Sequence, residues 1–135
     1  MIVVDTAIWI DFLEARGTPL GLHLKALIVG DAPLALTDVI YCEVLQGIPE
    51  DAKFRGIREA LLAYPVLRVR GLETFEHAAQ IHRACRRRGF TIRNTLDCLI
   101  AATCLEAGVD LYQHGRDFEA IAKVRGLRLY RPPKL

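Results

Sequence analysis

Ile2-Val3-Val4 is an apolar run of strand length that stops at Asp5-Thr6, and the residues that follow, with Trp9, Ile10 and Leu13 apolar, take helical spacing as far as Leu13. Pro19 is suited to the first position of a second helix, continued by Leu20, Leu24, Leu27 and Ile28 up to Gly30. Leu34-Ala35-Leu36 reads as a second strand, Thr37 or Asp38 as an N-cap, and Val39–Gln46 as a helix closed by Gly47. A further amphipathic helix is expected over 50–64, broken by Pro65, with a strand over 66–69. Helical spacing returns over 73–88 through Phe75, Ala78, Ala79, Ile81 and Ala84, and Gly89 ends it. Asn94-Thr95-Leu96-Asp97 has the form of a capping box with Asp in place of Glu, ahead of an apolar helix that reaches Ala107 and Gly108. Leu111-Tyr112-Gln113, a short helix over 117–124 and a last strand over 127–130 complete the chain before Pro132-Pro133.

Strands alternating with helices require crossovers, so the expected fold class is α/β: three α/β/α layers around a mostly parallel central sheet. A chain of 135 residues holds one core more readily than two, and residues 1–135 are read as a single domain. Hydrophobic residues at 52% and charged residues at 25% exclude intrinsic disorder. The carboxylate of Asp5 interrupts the position where a secretory signal would need its apolar segment, and the apolar runs fall short of the roughly 20 residues of a membrane span. A soluble, cytoplasmic protein without membrane contact is expected, with Cys42, Cys85, Cys98 and Cys104 reduced and buried. His82 and Cys85 share a helical face, but two more close ligands for zinc are lacking.

Charge is distributed unevenly. Residues 1–67 carry five Lys/Arg against nine Asp/Glu, whereas residues 68–135 carry thirteen against seven. The basic half is densest at Arg83, Arg86, Arg87, Arg88 and Arg93, and again at Arg125, Arg128, Arg131 and Lys134. Such clusters serve either as a solvated helix face or as a footprint for a phosphate backbone.

In open parallel sheets ligands bind beyond the carboxyl ends of the strands. Four acids belong there: Asp5 after the first strand, Glu43 in the helix after the second, Asp97 opening a later helix and Asp117 after the strand at Leu111. Each has an ordinary structural use, as a helix cap, a solvated residue or a partner of a helix dipole. Together they repel one another unless a cation intervenes, and a hard divalent ion, Mg²⁺ or Mn²⁺, is the economical explanation. Oxygen-ligated metal with open positions suits phosphoryl chemistry. Metal-free acid–base cleavage would want paired histidines, yet His23, His77, His82 and His114 are scattered, and only His114 lies close to one of these acids in sequence. Neither a Walker motif nor GxSxG is present. Ala7 occupies the position where a haloacid-dehalogenase-like phosphatase needs its second Asp.

Ile2-Val3-Val4-Asp5-Thr6-Ala7-Ile8-Trp9-Ile10-Asp11, the helix Thr37–Gly47 around Glu43, the segment Thr91–Ala102 around Asp97, and Arg116-Asp117-Phe118 resemble, in order and spacing, the motifs of PIN-domain ribonucleases, specifically VapC-type toxins of bacterial toxin–antitoxin pairs. The resemblance implies a PIN-like fold, Mg²⁺-dependent cleavage of RNA (with Mn²⁺ as substitute), a homodimer, and neutralisation by a cognate VapB-type antitoxin. It assigns catalysis to Asp5, Glu43, Asp97, Asp117 and Thr6, with Asp5 and Asp97 as the principal metal ligands. Arg86, Arg87, Arg88 and Arg93 are the expected RNA-binding residues. Many relatives carry Asp-Arg-Asp-Phe where this chain has Gly115-Arg116-Asp117-Phe118, which implies a single metal in the absence of RNA. The alternative is a non-catalytic PIN-like module that binds RNA or protein through its arginines and keeps the carboxylates as caps.

Overall fold

The structure is a computed structural model and describes residues 1–133. Among these, a four-stranded sheet and seven helices follow one another as β1 (Ile2–Val4), α1 (Thr6–Leu13), α2 (Pro19–Val29), β2 (Leu34–Thr37), α3 (Asp38–Gln46), α4 (Asp51–Leu61), β3 (Val66–Leu67), α5 (Leu72–Arg87), α6 (Thr95–Ala107), β4 (Asp110–Tyr112) and α7 (Arg116–Arg125). Every pairing is parallel and the order is β3-β2-β1-β4. The crossovers from β1 to β2 and on to β3 run to one side of β1 and carry α1–α4, and the return from β3 to β4 on its other side carries α5 and α6, which pack together. Chain direction across the sheet therefore reverses between β1 and β4. The carboxyl ends of these two adjacent strands form the crevice of a parallel sheet.

Local chemistry explains the helix ends. Thr18 accepts from the Gly21 N–H and Thr37 from the Ile40 N–H, each meeting one of the unpaired donors of a first turn. Gly108 and Gly126 close α6 and α7 in the left-handed conformation, which glycine adopts without a side-chain penalty. From Cys98 to Cys104 every residue of α6 is buried, because this helix packs against α5, α7 and α3 as well as over the sheet. Val3, Val4, Leu36, Ile100 and Leu111 are fully buried at the centre. Side chains of this size stabilise the fold by about 1.5–3 kcal/mol each when removed from water. Glu106 adds a polar tie between α6 and α5, accepting from the Thr74 hydroxyl at 2.8 Å and meeting His77 Nδ1 at 2.8 Å.

Five sequence expectations are corrected. The strand expected over 66–69 stops at Leu67, because the Val69 N–H donates instead to the Asp38 carboxylate at 3.0 Å. The helix expected over 50–64 regularly ends at Leu61, beyond which Ala63 and Tyr64 make tighter three-residue turns. Residues 127–130 form no full strand. A single parallel bridge joins Leu129 to Leu111, and only four residues separate the glycine that ends α7 from Arg131-Pro132. On α5 the buried stripe is Thr74, Ala78, Ile81 and Cys85, while Phe75 faces outward and Cys42, on α3, is exposed rather than buried. No helix of the described residues is long and apolar enough to cross a membrane.

Candidate active site

Asp5 directly follows β1 at the reversal point, held in place by its own backbone: its N–H donates to Tyr112 O of β4 at 2.9 Å, and its carbonyl accepts from Ile8 and Trp9 to start α1. It occupies the N-cap position of α1, yet its side chain makes no capping hydrogen bond. The same division holds at α6. There Asn94, not Asp97, caps the helix, accepting from the Leu96 N–H at 3.0 Å, so the Asp97 carboxylate is left to the crevice. Asp117 lies in the first turn of α7 and accepts from the Arg93 N–H at 3.3 Å, which ties the α5–α6 loop to the start of α7.

Asp5, Asp97 and Asp117 line one crevice together with Arg93, His114 and Arg116. Glu43 is not among the residues that line it. Its Oε1 accepts from the Thr6 hydroxyl at 2.7 Å, a bond between residues 37 apart in sequence. Arg86, Arg87 and Arg88 are exposed at the end of α5 and do not line the crevice. Lys134 lies outside the described residues. Arg116 is part of the Arg116-Asp117-Phe118 motif, but the sequence assigns it no role. The available signal was its place beside Asp117 at the start of a helix that follows β4.

The electrostatics are those of carboxylates that raise one another's pKa. Burial, and then the neighbouring carboxylates of Asp5, Asp117 and Glu43, push the Asp97 carboxyl up to about 7. Burial also raises Asp5 to about 6, opposed by the Thr6 backbone N–H and reinforced by Glu43. Carboxyls perturbed this way in a crevice mark a functional site or a cation site. Among the described residues no three His, Cys, Asp or Glu side chains are already drawn together as a ready metal cage. A small hard cation does not require one. Mg²⁺ keeps several of its waters and is held by one or two carboxylates, with substrate phosphate completing the shell. The all-oxygen donor set and its mutual repulsion fit such an ion at Asp5 and Asp97.

The opposite charge is also at hand. Among the described residues the side chains of Arg93 and Arg116 enter no ion pair, in contrast to Arg16, Arg128 and Arg131. Unpaired guanidiniums beside a carboxylate crevice suit a ligand that brings its own negative charge, such as a phosphodiester.

Similarity to known proteins agrees with this geometry. The family model described as "PIN domain" matches residues 2–124. The chain is 32% identical over 129 residues to VapC ribonuclease Mb1587 of Mycobacterium bovis, covering 95% of this chain and 96% of the relative. The same figures hold for ribonuclease VapC11 of Mycobacterium tuberculosis. The fold matches the crystal structure of DNA-bound VapBC from Salmonella typhimurium with a TM-score of 0.75 at 16% identity, covering 96% of each chain. It matches VapBC-1 from nontypeable Haemophilus influenzae with a TM-score of 0.74 at 22% identity, over 96% of this chain and 97% of that one. With a family match that spans nearly its whole length and relatives this similar, the chain belongs to the PIN-domain family and, within it, to the VapC ribonucleases.

Proposed function

We propose that the protein is a divalent-metal-dependent endoribonuclease toxin, a single PIN-like domain that hydrolyses RNA phosphodiester bonds in the cytoplasm and is neutralised by a cognate VapB-type antitoxin. The observation that carries the reading is the convergence of Asp5, Asp97 and Asp117 on one crevice whose rim bears the unpaired Arg93 and Arg116. The names of its relatives supply the substrate class and the partner: those in Mycobacterium are called ribonucleases, and its structural neighbours include VapBC complexes.

In this reading Mg²⁺, with Mn²⁺ as substitute, supplies charge neutralisation at the phosphate and an activated water. The remaining work falls to side chains of the chain itself. Asp5 and Asp97 hold the ion. Thr6 fixes the rotamer of Glu43, which keeps a negative charge near Asp5, and the Arg93 N–H steadies Asp117 at the mouth. Arg93 and Arg116 take the phosphates on either side of the scissile bond. Antitoxin-free protein is expected to cleave single-stranded RNA with Mg²⁺, to stop on addition of EDTA, and to resume with excess Mg²⁺. Cleavage that ignores the chelator, or none with either metal, would leave the non-catalytic module as the better description.

Arg86, Arg87 and Arg88 act at longer range, as an electrostatic approach surface at the end of α5. Replacing all three by Ala should weaken RNA binding for every sequence alike and reduce the steepness of log K against log salt by about 2, at roughly 0.7 per phosphate contact on a single strand. An unchanged slope would make them an ordinary solvated face. Leu72 and Phe75, 85% and 50% exposed one turn apart on α5, give the chain an apolar step suited to self-association as a homodimer. Sedimentation at micromolar concentration should return the mass of a dimer, and a monomer there would count against it.

A further inference from the structure

Beyond the crevice lies a second, wider cleft, with Tyr130 and Arg131 on its far side, that shares Arg93, His114, Gly115 and Arg116 with the crevice. Its far wall exists because of the bridge at Leu129. The Tyr130 N–H donates to Leu111 O at 2.8 Å, so the terminal segment runs beside β4 and brings Tyr130 over Tyr112 and Arg131 over Glu119.

Both wall residues are held rigidly. The Tyr130 ring lies nearly parallel to His23, with centroids 5.8 Å apart and planes 17° apart, and meets the Tyr112 edge at 5.2 Å. Its hydroxyl hydrogen-bonds to His23 Nε2 at 2.7 Å. The Arg131 guanidinium grips both oxygens of Glu119, at 2.8 and 2.9 Å, and Glu119 in turn accepts from Gln113 Nε2 at 2.9 Å. Arg131 nevertheless remains 67% exposed. A guanidinium neutralised and locked in this way is a weak phosphate anchor, but its flat face is a pre-oriented platform for a planar ligand. Arg93 and Arg116 have the opposite character, charged and unpaired among the described residues.

We infer that this cleft is a nucleotide subsite. Arg93 and Arg116 hold the phosphate at the boundary with the crevice, and the adjoining unpaired base enters between His114, Tyr130 and Arg131. The substrate class is therefore RNA whose bases are splayed from any helix at the cut, since a stacked, paired base presents no free face to these walls. The inference rests on the ribonuclease reading for its placement next to a scissile phosphate, and its experiment separates the two.

Cleavage of a randomised single-stranded RNA pool, with the new 5′ ends sequenced, should show a base preference at one position adjoining the cut. Arg131→Lys retains the charge and loses the plane. It should flatten that preference about tenfold, the scale of one stacking contact, with total cleavage of the pool nearly unchanged, because Arg131 does not line the crevice. A preference fully kept by Arg131→Lys would overturn the stacking role. In EDTA, where the metal reaction is silent, titrating a nucleoside 5′-monophosphate into ¹⁵N-labelled protein should shift the amides of His114, Tyr130 and Arg131. No shift there, or shifts confined to the end of α5, would overturn the subsite. If wild type cleaves nothing while these amides do respond, the ribonuclease reading fails and the subsite stands.

Discussion

Asp97→Asn should abolish RNA cleavage, by at least about 100-fold, while leaving the protein folded. Changing a residue that merely supports a metal ligand already costs 10- to 100-fold, and a ligand itself should cost no less. Retention of the fold follows from the local geometry, since α6 is capped by the Asn94 side chain and loses nothing when Asp97 loses its charge. Melting in EDTA should be unchanged or slightly higher in the variant, because one of four mutually repelling carboxylates is gone. Adding Mg²⁺ should then raise the melting temperature of wild type and not of Asp97→Asn. Asp5→Asn should lose activity to the same extent at a further stability cost of about 1 kcal/mol, since Asp5 is buried and an amide there brings donors with no assigned acceptor. A folded Asp97→Asn protein that cleaves at the wild-type rate would remove Asp97 from the metal-ligand set.

Gly115→Asp should tighten Mn²⁺ binding about tenfold and approach a second strong site, whereas wild type without RNA should titrate with one. The backbone does not stand in the way. Gly115 has φ 162° and ψ 152°, extended geometry open to any residue, and a Cβ built there meets only Gln113 Oε1, at 3.9 Å. The substitution therefore tests charge alone. It adds a carboxylate to the wall of a crevice that already holds Asp5, Asp97 and Asp117, and a second cation would then have an anionic ligand to offset its dehydration. Without metal the extra charge should lower the melting temperature slightly, and saturating Mn²⁺ should more than restore it. Two strong calorimetric sites in wild type would show that the missing carboxylate is replaced elsewhere.

The succession of strands and helices could be read from the chain because its signals are local. Pro19 opens a helix, Thr37 and Asn94 cap two more, and Gly47 and Gly108 end two, each acting within one turn of itself. Alternation of strands with helices then implied parallel pairing, and parallel pairing implied that acids just after the strands gather at one edge. Where the reading went astray, a distant residue intervened. Asp38 takes the N–H of Val69 and shortens β3, and the packing of α6 against α5 selects Thr74 over Phe75 for the core.

The site divides in the same way. Residue type and order were enough to pick out Asp5, Glu43, Asp97 and Asp117. Which of them face the crevice was not legible, because it depends on Thr6 reaching Glu43 across 37 residues and on the Arg93 backbone meeting Asp117 across 24. The second cleft gains its far wall only when the terminal segment bridges β4 at Leu129 and Arg131 closes on Glu119. Periodicity and capping are one-dimensional and survive in a string of letters, whereas a concave surface is made by chain segments that meet only after the hydrophobic core has brought them together.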